Sequence, residues 1–222
     1  MRIPQLTVAA AAALLLTACG SSGPLDGKTG PEVAAAAADA LEEAGSFHVS
    51  GEVTSGGEEA EVDLHVQGED LIGSITTEGV ELQLLGLDGS VYLQAPPDFW
   101  ASFGMPEEMA AGFDGQWLVV PGEAMAEFDD FSLDGFVEQF RDPESQVQEE
   151  VTEDEVDGQE VVVVEQEDGS KLFVANDEPS YPVRITNEGD SSGTVTFSRF
   201  GEEEDISAPS DAIDLMEMMG GA

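Results

Sequence analysis

Glu61-Val62-Asp63-Leu64-His65-Val66-Gln67 alternates polar and apolar side chains without a break. Successive strand side chains point to opposite faces, so Val62, Leu64 and Val66 share one face of a half-buried strand. The period of two spreads outward from there. Upstream, Phe47, Val49 and Gly51 alternate with Ser46, His48 and Ser50. Downstream, Gly68-Glu69-Asp70 turns into 71–77, and Glu78-Gly79 turns into Val80-Glu81-Leu82-Gln83-Leu84. Asp88-Gly89, a type I′ hairpin signal, then leads into 90–94. Such a run is a meander of antiparallel strands with one apolar face.

Strands return late in the chain. Residues 146–156, 160–166 and 170–175 are separated by Asp157-Gly158 and Asp168-Gly169, two tight hairpin signals. Residues 181–186 and 194–200 flank a loop with Gly189 and Gly193. Ahead of the meander, a helix is predicted from Pro31 to Ala44. Thr29 and Glu32 have capping-box spacing, and Pro31 is tolerated in a first turn. Ala34 to Ala44 is rich in strong helix formers, and Gly45 suits the position after the last turn. Val33, Ala37, Ala40, Leu41 and Ala44 line one helical face.

The middle breaks the pattern. Pro96-Pro97-Asp98-Phe99-Trp100 opens a loop rich in aromatics and methionine that runs on through Phe103, Met105, Met109 and Phe113. Trp117-Leu118-Val119-Val120 is a short strand stopped by Pro121. Residues 123–128 and 133–140 read as two short helices carrying Met125, Phe128, Leu133, Phe136, Val137 and Phe140, with Phe131 between them, before Asp142-Pro143 ends the second. The tail 208–215 is expected to form one docking turn and 216–222 to fray. Helix, strands, short helices, strands is an α+β order. So many sequential hairpins predict one large antiparallel sheet, strongly curved rather than flat, with helices on its concave face only.

The N-terminus supplies the compartment. Arg2, an apolar run from Leu6 to Leu16 and small residues at the cut have the make-up of a secretory signal peptide, too short to span a bilayer at about 20 residues. Leu16-Thr17-Ala18-Cys19 has the lipobox order of Leu, two small residues and Cys. Cys19 is the single cysteine, so no intramolecular disulfide is possible and acylation accounts for it. The expected division is a signal peptide at 1–18, a small polar tether at 19–30 and one domain at 31–222. The expected product is a monomer on the extracytoplasmic face of the cell membrane, held there by acyl chains, palmitate among them.

Charge then excludes partners. Six Lys and Arg face 48 Asp and Glu, a net charge of −42 that becomes −43 once Arg2 is removed. Nucleic acid is excluded, since its binding rests on cations neutralising phosphates. Electrostatic docking on anionic lipid is opposed as well. An acidic, nearly lysine-free surface fits a halophilic setting, where salt screens self-repulsion; surface-bound divalent cations are the rival account.

Catalytic chemistry is thin. The sequence lacks a Gly-x-Ser-x-Gly elbow, zinc-ligand spacing and a P-loop. Asp129-Asp130 with Asp134-Gly135 departs from the calcium-loop pattern, and Glu202-Glu203-Glu204-Asp205 reads as a solvated charge run. His65 falls on the polar face with Asp63 and Gln67 and is expected to be solvated. His48 is expected to bond to backbone. A protein without enzymatic activity, metal or cofactor is the expectation.

Several stretches together resemble the actinobacterial LppX/LprA/LprF/LprG lipoprotein family. They are Ala44-Gly45-Ser46-Phe47-His48-Val49-Ser50-Gly51, Val91-Tyr92-Leu93 with Phe99-Trp100, and Gly115-Gln116-Trp117-Leu118-Val119-Val120-Pro121. Asp157-Gly158-Gln159, Leu172-Phe173-Val174-Ala175, Tyr181-Pro182-Val183-Arg184-Ile185 and Phe197-Ser198 through Phe200-Gly201 follow in order. The resemblance implies a half-barrel similar to the LolA and LolB carriers. It also implies an apolar cavity for acyl chains of envelope lipids or lipoglycans; a lipid exporter is a candidate partner, with the direction of transfer left open. The chain is far more acidic than the mycobacterial members, so no particular lipid carries over. The cavity candidates are Phe47, Val49, Leu64, Val66, Leu82, Leu84, Val91 and Leu93, with Phe99, Trp100, Phe103 and Trp117 near the mouth. The competing reading is an interaction or scaffold lipoprotein in which the same residues form a filled core; an envelope hydrolase stands third.

Overall fold

The computed structural model describes residues 23–55, 57–120, 131–188 and 191–214. Cys19, the predicted helix at 123–128 and the segment 216–222 lie outside them.

Helix α1 (Gly30–Ala44) begins one residue before its predicted start. The Thr29 N–H donates to the Glu32 carboxylate at 2.9 Å, and this bond holds the Glu32 pKa below its ordinary value. Gly45 ends the helix in the left-handed region, with its N–H on the Leu41 carbonyl. Twelve strands follow in one sheet: β1 (Ser46–Ser55), β2 (Glu58–Gln67), β3 (Asp70–Thr77), β4 (Val80–Leu87), β5 (Ser90–Gln94), β6 (Trp117–Val120), β7 (Val147–Val156), β8 (Gln159–Gln166), β9 (Lys171–Ala175), β10 (Pro182–Asn187), β11 (Ser191–Ser198) and β12 (Ile213–Asp214). Their order is β12-β6-β5-β4-β3-β2-β1-β11-β10-β9-β8-β7. Two meanders are thus joined through β1 and β11, antiparallel throughout except for β12 on β6. The sheet is curved and does not close, as expected.

Two inward rows cross the sheet. One runs Leu118, Leu93, Leu84, Gly73, Leu64, Val49, Phe197; the other runs Leu82, Ile75, Val62, Gly51, Val195, Ile185, Leu172, Val164, Val151. Gly51 sits where the two meanders meet. A Cβ there would run into the Thr194 carbonyl and the Val195 backbone of β11. Glycine therefore permits the close backbone approach that tightens the curl at this seam.

Helix α1 and helix α4 (Leu133–Arg141) pack on the inner face; Ser132 caps α4 by accepting from Gly135 N–H at 3.0 Å. The aromatic middle is not a loop. It folds into α2 (Pro97–Ser102), α3 (Glu107–Ala110) and a 3-10 turn at Ala111–Phe113. These bury Trp100 and Phe113 against Ala95 and Leu118 in a second, smaller core. The two prolines pre-set the entry dihedral rather than excluding a helix.

Two further expectations change. The tether is not wholly free: Leu25, its one large apolar side chain, is 1% exposed and joins the main core. Its N–H donates to Asn176 Oδ1 at 3.1 Å. The tail forms more than a turn. Residues 199–212 leave β11 beside β1, bond to Gln67 of β2 through the Glu204 N–H, and reach the far edge as β12. A two-residue parallel pairing carries no periodic signal in sequence.

Candidate functional site

The site forms where the apolar faces of α1 and α4 fail to fill the curl. On α1 the inward residues are mostly alanine, with Ala34, Ala37 and Ala38 all buried. On α4, Phe136 and Phe140 face inward. Phe136 packs edge-on against Phe47 at 5.1 Å and against Phe197 at 5.8 Å. Arg141 ties the two helices together, with guanidinium bonds to Asp39 Oδ1 at 2.7 Å and Glu42 Oε2 at 2.6 Å. Small side chains on one helix and large rings on the other leave a cavity of about 400 Å³ against the sheet.

The inner wall of this cavity is apolar: Ala34, Val49, Val53, Val62, Phe131, Phe136, Phe140, Val147, Val164, Leu172, Ile185 and Val195. Its rim is polar and comes from the α4–β7 connection, the β8–β9 turn and the end of β10. Gln139, Glu144, Ser145, Gln166, Asp168, Ser170, Lys171, Asn187 and Glu188 stand there. Lys171 is the rim's single cation, drawn toward Glu165 at 4.0 Å. An apolar wall below one open polar edge suits an amphiphile with its tail inside and its head at the solvent boundary.

Of the twelve residues singled out from sequence, Val49 lines this cavity. Phe47, Leu64, Val66, Leu84 and Val91 are buried in packed core, and Leu93 packs against it. Leu82, Phe99 and Trp100 belong to the smaller core over β5 and β6, where the Trp100 indole donates to the Ala95 carbonyl at 3.1 Å. Trp117 is half-buried on β6, and Phe103 is 77% exposed. The cavity thus lies mostly under the second meander, with β1 and β2 of the first closing one side, and away from β4, β5 and β6. Val164, Leu172, Ile185 and Val195 were all within predicted strands and align through successive hairpins, but Val49, Val53 and Val62 join them on one wall only once β1 pairs with β11 across about 140 residues of chain.

Both histidines differ from expectation. His48 bonds to the Asp63 carboxylate at 3.0 Å and approaches Ser198 Oγ at 3.4 Å, so its partners are side chains and not backbone. His65 is 3% exposed, beneath the tail that carries Arg199 and Glu204. Among the described residues neither of its ring nitrogens makes a well-formed hydrogen bond, although the Glu202 backbone lies close by. Burial pushes its pKa down, with Arg199 and His48 adding to the shift and Glu204 and the Glu202 backbone opposing it. Among the described residues no three His, Cys, Asp or Glu side chains converge as metal ligands would. No described helix is long and apolar enough to cross a membrane.

No protein-family model matches the sequence, and no curated protein does. Solved structures do match. The crystal structure of LprF from Mycobacterium bovis aligns with a TM-score of 0.52 at 15% identity, over 81% of this chain and 96% of that one. The lipoprotein LppX from Mycobacterium tuberculosis aligns with a TM-score of 0.52 at 14% identity, over 80% of this chain and 99% of that one. The fold is therefore the one these two structures share.

Proposed function

We propose that this chain, which has the fold of LprF and LppX, is a lipoprotein of their kind, anchored through acylated Cys19, that carries acyl lipid in the cavity between its sheet and helices. The observation that carries the reading is the cavity itself: an apolar wall of valines, leucine, isoleucine and phenylalanines opening on a polar rim. An empty apolar space of this sort prefers alkyl chain to water, and each methylene buried contributes about 0.8 kcal/mol. Among the described lining residues no nucleophile is paired with a base, which suits holding a ligand rather than transforming one. The scaffold reading requires a filled core, and the open space beside Ala34 and Val53 disfavours it.

The test is a native mass spectrum of the acyl-free domain purified from its own host. Binding predicts an added mass of one lipid that organic extraction removes. The bare polypeptide mass, with no uptake on incubation with fatty acid, contradicts it.

A further inference from the structure

We infer that the cavity mouth and an exposed apolar knob beside α2 and α3 form one exchange face, turned away from the anchoring membrane toward a second, weakly charged lipid surface. The inference rests on the carrier reading and follows from strand register. Asn176 lies just past the end of β9, where its N–H bonds to the Glu160 carbonyl at 3.0 Å. Its side chain bonds to Leu25 N–H and to Asp26, so the tether meets the domain at this end of the sheet. The mouth lies at the other end, at Gln166, Asp168 and Lys171. Six residue steps along β8, from Glu160 to Gln166, separate the two, about 20 Å at 3.3 Å per step. Four residues from Gly23 back to Cys19 reach at most about 14 Å. The tether is therefore too short to let the mouth face the bilayer that holds Cys19.

The same distal end carries the apolar knob. By register the β3–β4 turn lies at the mouth end; Gln94 and Trp117 are level with Val163 at the middle of β8, and the chain leaves β5 and enters β6 on their mouth side, where α2 and α3 connect. Phe103 is 77% exposed and Met109 49%, the exposed large hydrophobics among the described residues. Phe103 is not loose: its ring packs on Phe99 at 4.9 Å, and Phe99 packs on buried Trp100 at 5.1 Å. A supported aromatic with a neighbouring methionine suits shallow insertion into a lipid interface. The knob's charged neighbours are Asp98, Glu107, Glu108 and Asp114, with no Lys or Arg in 94–120. An anionic surface would be repelled, so the surface that fits is zwitterionic or uncharged.

The test couples residues 19–222 through Cys19, the single thiol, to maleimide-bearing vesicles. A fluorescent lipid is placed either in those vesicles or in separate phosphatidylcholine vesicles. Uptake from the separate vesicles should be at least tenfold faster. It should slow at least fivefold when they are phosphatidylglycerol, and at least fivefold with Phe103→Ser plus Met109→Ser. That double variant should still bind a short-chain soluble lipid as wild type does. Equal or faster uptake from the anchoring vesicle, or an unaffected double variant, overturns the inference, as do equal rates from the two lipids. Soluble lipid bound with no vesicle transfer also overturns it, and would point to a protein donor. Failure to bind even soluble lipid overturns the carrier reading instead.

Discussion

His48 and His65 stand directly opposite each other on β1 and β2, on the outer face of the sheet, yet among the described residues only His48 has side-chain partners. His48 reaches Asp63 and Ser198, whereas both nitrogens of His65 are buried with no side-chain partner among the described residues. A folded-state pKa held below the ordinary value of 6.5 means that the unfolded chain takes up the proton first. His65 thus leaves stability intact above about pH 6.5 and removes it as pH falls below that. Thermal midpoints of wild type and His65→Leu across pH 8 to 5 check this. The variant should lose less on acidification, and parallel curves would contradict the assignment.

Gly51 and Gly112 differ in what a methyl group would meet. At Gly51 it strikes the β11 backbone, and at Gly112 nothing lies within 4 Å. Gly51→Ala should destabilise by about 1–3 kcal/mol, the usual cost of overpacking. Gly112→Ala should be close to neutral. Equal midpoints in urea for the two variants would show that the seam does not depend on glycine.

The three described arginines are already engaged: Arg141 with Asp39 and Glu42, Arg184 with Asp157, Arg199 with Glu202 and Glu204. The remaining carboxylates repel one another. Edge strand β7 concentrates them, with Glu149, Glu150, Glu153, Asp154 and Glu155 all exposed. The same charge guards the edge against pairing with another chain. Self-repulsion predicts a thermal midpoint that climbs from dilute buffer to molar NaCl, where the Debye length falls to about 3 Å. A flat response contradicts the halophilic reading, and a response to millimolar Ca²⁺ but not Na⁺ would favour bound cations.

Anchoring has its own test. Cys19→Ala should block lipobox processing and move the protein from the detergent phase to the aqueous phase. Equal partitioning of variant and wild type would refute acylation at Cys19.

Much of the fold was legible because its signals are local. Thr29 with Glu32, Gly45, Asp88-Gly89 and Asp157-Gly158 each fix a helix end or hairpin within a few residues. Both aspartates and their glycines take positive φ, as type I′ turns require. The site was less legible because it is made by long-range pairing. Valines and leucines alternate identically whether they meet a helix or a void. Only the junction of β1 with β11, and the alanines of α1 against the rings of α4, decide that Val53 and Ile185 border space while Leu64 and Val91 do not. Burial of His65 also depended on distance, since its cover comes from residues 199–204.

The contrast between Val53 and Val91 gives the most direct test of the carrier account. Val53 borders the cavity, and Val91 is 2% exposed in packed core. Val53→Trp would place its ring in open volume, while Val91→Trp overpacks at a cost of about 1–3 kcal/mol. The measurement is bound lipid per protein by native mass spectrometry, taken with the thermal midpoint, for wild type and both variants. The account predicts that Val53→Trp loses lipid with almost no fall in midpoint, and that Val91→Trp loses midpoint while whatever remains folded keeps its lipid. Lipid retained in full by Val53→Trp, or a midpoint that collapses as far as that of Val91→Trp, would contradict a lipid cavity at this place.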